Sequence, residues 1–146
     1  MRIFVWPGHA YLPGLTARHP DGLFDDLCRT AEAGMTSQEL ANSDAWGTAQ
    51  GYFSAGFFWE ANRVWTAVCA HIPLKSKEWL IGQAAVKLSK AALDLRMGEI
   101  DRALDGCDTV EAYVMGYQGV IMNIQISWFA EQVDLIRKEA KQSFVE

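Results

Sequence analysis

Apolar side chains recur along most of this chain at intervals of three or four residues, the spacing of a helix that is buried along one face. The interval is clearest after Gly56, where six apolar residues share one side: Phe57, Phe58, Ala61, Val64, Trp65 and Val68. Alternation with a period of two, which would indicate half-buried strands, extends over no useful length. The pattern therefore predicts an all-α fold, a compact bundle of about five to seven helices whose short connections make antiparallel helical hairpins.

Capping residues, glycines and prolines mark where these helices begin and end. The predicted helices span residues 21–33, 57–71, 76–97, 99–115 and 122–143, with a short helix at the capping box Thr36-Ser-Gln-Glu39 and another after Ser43. Three of the four prolines lie in residues 1–20, which predicts an irregular arm with an extended piece at residues 3–6. We expect one domain over residues 1–146, made of the arm and a helical bundle over residues 21–143.

The net charge and the cysteines indicate which partners the protein is expected to lack and in which compartment it is expected to be found. A net charge of −5 argues against a nucleic-acid partner. No apolar run reaches the ~18 residues of a membrane span, and the first residues lack the features of a signal peptide. Cys28, Cys69 and Cys107 are odd in number and never form a Cys-x-x-Cys pair, which is typical of small buried side chains in a reducing compartment. The composition predicts a cytoplasmic protein without a membrane partner.

The helix after Gly56 supplies the best candidates for a site. Asn62 and Thr66 are one turn apart at the border of its apolar face, beside Trp65. They are either the wall of a pocket that binds a ligand or a border pair with all its hydrogen bonds made. Glu60 and Arg63 are either a positioned acid with an anion anchor or a surface ion pair.

A polar stripe on the following helix could face these residues. Gln83, Lys87, Lys90 and Asp94 recur at helical spacing. Opposite the central helix, the stripe would line a cleft with two cations for a carboxylate or a phosphate; alternatively, it is the solvated face of its helix. Trp59 and Trp65 would form the apolar wall of this cleft, and His19, in the rigid loop Arg18-His-Pro-Asp-Gly22, could fold over it.

Motifs with established chemistry are missing from the sequence. It contains no Walker A loop, no Gly-x-Gly-x-x-Gly, no His-Glu-x-x-His, no Gly-x-Ser-x-Gly and no cysteine-rich metal spacing. We therefore predict no cofactor and no metal site, and we assign no catalytic residue.

Three segments of the chain are similar to the uncharacterised family known as domain of unknown function 309. They are Tyr11-Leu-Pro-Gly14 with Arg18-His-Pro-Asp-Gly-Leu-Phe-Asp25, Phe58-Trp-Glu-Ala61 with Val64-Trp65, and Leu93-x-Leu-Arg-Met-Gly98. The resemblance implies an all-helical bundle and no established activity. It also implies a divergent member, because the family's hallmark helix has a histidine and a glutamate four residues apart, suited to a metal or to acid–base chemistry, where this chain has Asn62 and Thr66.

These observations favour a binding or assembly module over an enzyme. Its pocket would lie between the two central helices and would take a small anionic ligand. The apolar segment at residues 120–126, together with the six tryptophans, makes a homodimer an expected assembly. The alternative is a metal-assisted or hydrolase-like enzyme in the same pocket, with Glu60 as base and Lys87 or Lys90 holding an anionic substrate.

Overall fold

Seven helices form most of residues 6–143, the part of the chain that this computed structural model describes. They are α1 (Asp25–Cys28), α2 (Ser37–Ala41), α3 (Asp44–Ser54), α4 (Phe58–Cys69), α5 (Lys77–Arg96), α6 (Ile100–Val114) and α7 (Ile126–Ser143). From α3 onward, each helix packs against the next, and α7 returns against α5 as well as α6. The predicted all-α bundle is confirmed. Of the extended piece expected at residues 3–6, residues 3–5 lie outside the described part.

Side-chain caps start the helices where the sequence predicts. Thr36 and Glu39 form the reciprocal bonds of a capping box at α2. The Ser43 hydroxyl accepts the Trp46 N–H at the start of α3, and the Ser76 hydroxyl accepts the Trp79 N–H at the start of α5. These local signals place the starts of α2, α3 and α5 because each cap depends on residues only three positions apart.

The helix predicted at residues 21–33 is wrong in extent, since α1 covers only Asp25–Cys28. Four-residue turns flank it on both sides, with Leu23 N–H bonded to Pro20 O and Thr30 N–H bonded to Leu27 O. The Thr30 hydroxyl donates to Leu27 O at 2.8 Å and accepts the Ala45 N–H at 2.9 Å. A hydroxyl that bonds nearby backbone in this way competes with helix continuation.

A small β-hairpin precedes the last helix and was not predicted. β1 (Val120–Ile121) pairs antiparallel with β2 (Ile124–Gln125), and the two residues between them, Met122 and Asn123, have positive φ values of 53° and 59°. Two successive left-handed residues are what a two-residue hairpin turn requires. The predicted start of the last helix at residue 122 is therefore wrong, and α7 begins at Ile126. Strands of two residues are too short to show alternation.

Most apolar side chains of the segment at residues 120–126 are buried in the core of this chain. Ile121, Met122, Ile124 and Ile126 are buried in the core, whereas Val120 is exposed. The segment thus offers a partner little apolar surface, and the homodimer stays a prediction. No helix within residues 6–143 is long and apolar enough to cross a membrane.

Small residues let α5 approach its neighbours closely. A Cβ added at Gly106 of α6 would lie 2.8 Å from the Ala91 Cβ, and one added at Gly82 of α5 would lie 2.6 Å from the Cys69 Sγ. Contacts that short require atoms to move, and helix backbone moves at a larger cost than a flexible side chain. The packing of α5 against α6 therefore depends on having no side chain at residue 106.

Gly106→Ala tests this packing. We expect it to lower the free energy of unfolding by about 1–3 kcal/mol, because overpacking outweighs the better helix propensity of alanine. The matched control is Gly47→Ala in α3, where an added Cβ meets no atom within 4 Å; it should raise stability by about 0.5–1 kcal/mol. Urea unfolding of both variants measures the effect, and equal stabilisation by both would contradict a tight α5–α6 contact.

The three thiols differ in their surroundings. Cys69 and Cys107 are buried, as predicted, but Cys28 is only half-buried, which corrects the prediction for that residue. Burial raises the pKa of the Cys69 thiol to about 12 and, with smaller effects of nearby charges, that of Cys107 to about 11. Burial also raises the pKa of Cys28, against the opposing effect of Arg63.

The Cys69 thiol should make stability sensitive to alkaline pH. Its folded pKa of about 12 lies above the ordinary thiol value of 9.0, so the neutral thiol stabilises the folded state below about pH 9, and this stability is lost as the pH rises toward 12. Across that window wild type should lose up to about 1.4 kcal/mol more per pH unit than Cys69→Ala. Urea unfolding from pH 8 to pH 11 measures the difference, and parallel curves for wild type and Cys69→Ala would contradict it.

Candidate functional site

The expected cleft between α4 and α5 is occupied by direct helix packing. The Asn62 side chain of α4 donates from Nδ2 to Val86 O at 2.9 Å and to Ser89 Oγ at 3.1 Å on α5. Of the two alternatives for Asn62, this geometry is that of a border residue with its hydrogen bonds made to the neighbouring helix.

The other predicted site residues of this cleft lie apart from one another. Thr66 and Lys87 are exposed, and Lys90 pairs with Asp94 one turn along the same helix. Trp65 is fully buried between the rings of Trp46 and Phe53. The structure therefore does not bring the two lysines together with the aromatic residues of α4 in one cavity.

Glu60 is a fully buried carboxylate in the first turn of α4. Its Oε2 accepts the Tyr11 N–H at 2.8 Å and lies 2.6 Å from the His19 Nε2. Oε1 has no hydrogen-bond partner among the residues that the structure describes. The positive end of the α4 dipole favours a carboxylate in this turn. Glu60 is thus the point at which α4 holds the N-terminal arm, at two positions eight residues apart in the arm.

The described part of the arm, residues 6–20, and the turn after it fold on themselves ahead of α1. The Thr16 hydroxyl accepts the Leu12 N–H at 2.8 Å and donates to Ala10 O at 3.0 Å, and a ring nitrogen of His9 lies 2.6 Å from Ala17 O. Such local bonds let Tyr11 and His19 face the same carboxylate although no regular element joins them.

A pocket of about 500 Å³ lies between this arm and α4, and we call it the arm pocket. Its walls combine aromatic, cationic and acidic side chains of both elements. It is lined by Tyr11, Pro13, Arg18, His19, Pro20, Asp21, Gly22, Leu23, Phe24, Asp25, Trp59 and Arg63. It therefore unites His19, Trp59 and Arg63, three of the residues that the sequence singled out, beneath the arm and not in the expected cleft between α4 and α5.

Rings pack around His19 and fix its orientation. Its centroid lies 5.4 Å from that of Phe24, 6.1 Å from that of Trp59 and 4.7 Å from that of His9. The Tyr11 and Trp59 rings meet edge to face at 5.0 Å. Only 6% of the His19 side chain is exposed, although it forms part of the pocket wall.

Charges of both signs surround the pocket. Arg18 and Arg63 offer guanidinium groups, and Asp21 and Asp25 line the pocket near residue 22. Behind the pocket, burial raises the pKa of the Tyr52 hydroxyl, and the negative charge of Glu60 raises it further. A ligand here meets two cations that suit an oxyanion and two carboxylates that oppose a second one.

A second, more open cavity of about 980 Å³ lies between the α3–α4 connection, the end of α5, and α7. The Arg96 guanidinium lies 5.3 Å from the Phe58 ring centroid at its wall. None of the predicted site residues lines it. Within residues 6–143, no group of three or more histidine, cysteine, aspartate or glutamate side chains is placed to hold a metal ion.

Comparisons with family models, with curated proteins and with solved structures find no match to this chain. The resemblance to domain of unknown function 309 is therefore neither supported nor opposed by them and stays a prediction.

Sequence reasoning missed Tyr11 and Arg18 as pocket residues. Tyr11 contributes a backbone N–H and a ring, and neither contribution has a motif. The available signal was the rigid loop around His19, because a proline-rich arm that carries polar and aromatic residues must dock somewhere if it is ordered.

Glu60→Gln tests the arm anchor. The amide keeps the size but removes the charge, and hydrogen bonds to a charged acceptor are roughly twice as strong as neutral ones. We expect the Tyr11 amide to exchange with solvent about 10-fold faster, a change of about 1–2 kcal/mol, while amides inside α5 are unaffected. Hydrogen exchange followed by NMR measures this. Glu99→Gln, at an exposed helix start, is the control; unchanged Tyr11 exchange would show that Glu60 does not hold the arm.

Proposed function

We propose that this chain is a binding module whose arm pocket takes a small molecule with one carboxylate or phosphate group. The observation that supports this most is that Arg18 and Arg63 both line this pocket, together with the largely buried His19. Guanidinium groups match the planar oxygens of both anions.

The apolar part of the pocket suits an aromatic or otherwise flat ligand. The Tyr11 and Trp59 rings meet at 5.0 Å and form one wall. The volume of about 500 Å³ lies within the usual range of ligand pockets, roughly 300–1,000 Å³. An aromatic acid would place its ring against these walls and its charged group against the arginines.

The geometry favours binding over the hydrolase alternative. That alternative needs Glu60 and a lysine on one pocket, but Glu60 is covered by the arm, and no lysine is among the described residues that line the arm pocket. Lys87 and Lys90 lie on α5, and Lys90 is paired with Asp94.

Isothermal titration with benzoate and with phenyl phosphate at low ionic strength tests the proposal and separates the two anion types. Arg63→Gln should weaken the binding of whichever ligand binds by about 10-fold or more, because a charge-assisted hydrogen bond is lost. Arg102→Gln, an exposed arginine of α6 outside the pocket, should leave it unchanged. Equal weakening by both variants would indicate unspecific charge attraction, and no binding of either ligand would contradict the proposed function.

A further inference from the structure

We propose that the ligand carries a hydroxyl group in addition to its single anionic group, and that this hydroxyl contacts Nδ1 of His19. The inference rests on the proposed function and specifies the ligand of the same pocket. It follows from the bonding of the two ring nitrogens, from the rigidity of the ring and from the charges around it.

The two nitrogens of His19 have different environments. Nε2 lies 2.6 Å from Glu60 Oε2, so this nitrogen is engaged with the carboxylate. The contact leaves Nδ1 as the ring nitrogen that is open to another partner. Nδ1 makes no hydrogen bond to the described residues. It is also not among the side-chain nitrogens sealed from solvent without a partner, unlike Trp65 Nε1.

The ring cannot turn away to satisfy Nδ1 elsewhere. Phe24 and Trp59 pack against it, His9 lies over it, and Glu60 holds its other nitrogen. In the free protein, water can bond to Nδ1. A ligand that displaces this water without replacing its hydrogen bond binds less tightly than one that replaces it.

The charged neighbours determine which kind of group fits at Nδ1. Arg18 and Arg63 provide for one anionic group, whereas Asp21 and Asp25 on the same pocket oppose a second. A hydroxyl is neutral, and it can donate to a bare Nδ1 or accept from a protonated one. The pocket chemistry is therefore that of a hydroxy acid, with an aromatic ring between its two polar groups to fill the space beside Tyr11 and Trp59.

The test compares meta- and para-hydroxybenzoate with meta- and para-fluorobenzoate by isothermal titration. Fluorine is close to a hydroxyl in size but does not donate a hydrogen bond. At least one hydroxybenzoate should bind about five-fold more tightly than its fluoro counterpart, the effect of one hydrogen bond. In His19→Phe, which keeps an aromatic ring at this position, the ratio should fall to about one. His71→Gln, outside the pocket, is the control and should keep the wild-type ratio.

His19→Phe also removes a contact that holds the arm to Glu60, so a second measurement uses the wild-type protein. The ¹⁵N resonance of His19 Nδ1 should shift on addition of the tighter hydroxybenzoate, and that of Nε2 should stay nearly constant. The fluoro counterpart, which displaces the water without replacing its hydrogen bond, should shift Nδ1 in the opposite direction. A shift confined to Nε2, or equal shifts with both compounds, would overturn the inference.

The titrations distinguish a failure of the anion pocket from a failure of the contact with His19 Nδ1. If the hydroxy and fluoro compounds bind equally and Arg63→Gln weakens both, the anion pocket stands and the contact with Nδ1 is wrong. If none of the benzoates binds, this inference fails, and the proposed function fails with it when phenyl phosphate does not bind either.

Discussion

The arm and its pocket depend on one buried carboxylate oxygen. Oε2 of Glu60 accepts the Tyr11 N–H at 2.8 Å and bonds the His19 ring at 2.6 Å, so two points of an irregular arm converge on a single atom of α4. A fully buried carboxylate is costly unless hydrogen bonds compensate it, and these two bonds compensate Oε2, whereas Oε1 has no partner among the described residues. Glu60 therefore couples the arm to α4, and these two bonds hold together the two sides of the pocket.

The sequence predicted the helical bundle well because its signals are local. Thr36, Ser43 and Ser76 cap helices through bonds that span three residues, and an apolar stripe shows its period within one helix. Where tertiary contacts decide, prediction failed. The Thr30 hydroxyl accepts the Ala45 N–H and helps end α1 early, and two-residue strands are too short to show a pattern.

The candidate site was predicted in part, for the same reason. Periodicity placed Glu60, Arg63 and Trp59 on α4 correctly, but it could not tell which neighbour each would face. The sequence suggested α5, whereas the side of α4 next to α5 is filled by Asn62 and its bonds to Val86 and Ser89. The pocket lies instead beneath the arm, where residues 41 and 49 positions apart meet at one carboxylate. Such contacts have no signature in a single sequence.

The hairpin before α7 joins parts of the chain that are far apart in the sequence. The Met122 carbonyl accepts the Trp46 indole N–H at 2.6 Å, and the Asn123 side chain donates to Ala41 O at 3.0 Å, contacts that join positions 76 and 82 residues apart. The packing of α3 to α6 needs only short loops, which close quickly, whereas this junction closes a loop of more than half the chain. We therefore expect the helical hairpins to form first and the turn at Met122 and Asn123 to join distant parts of the chain late, so that the core is completed only when this junction closes.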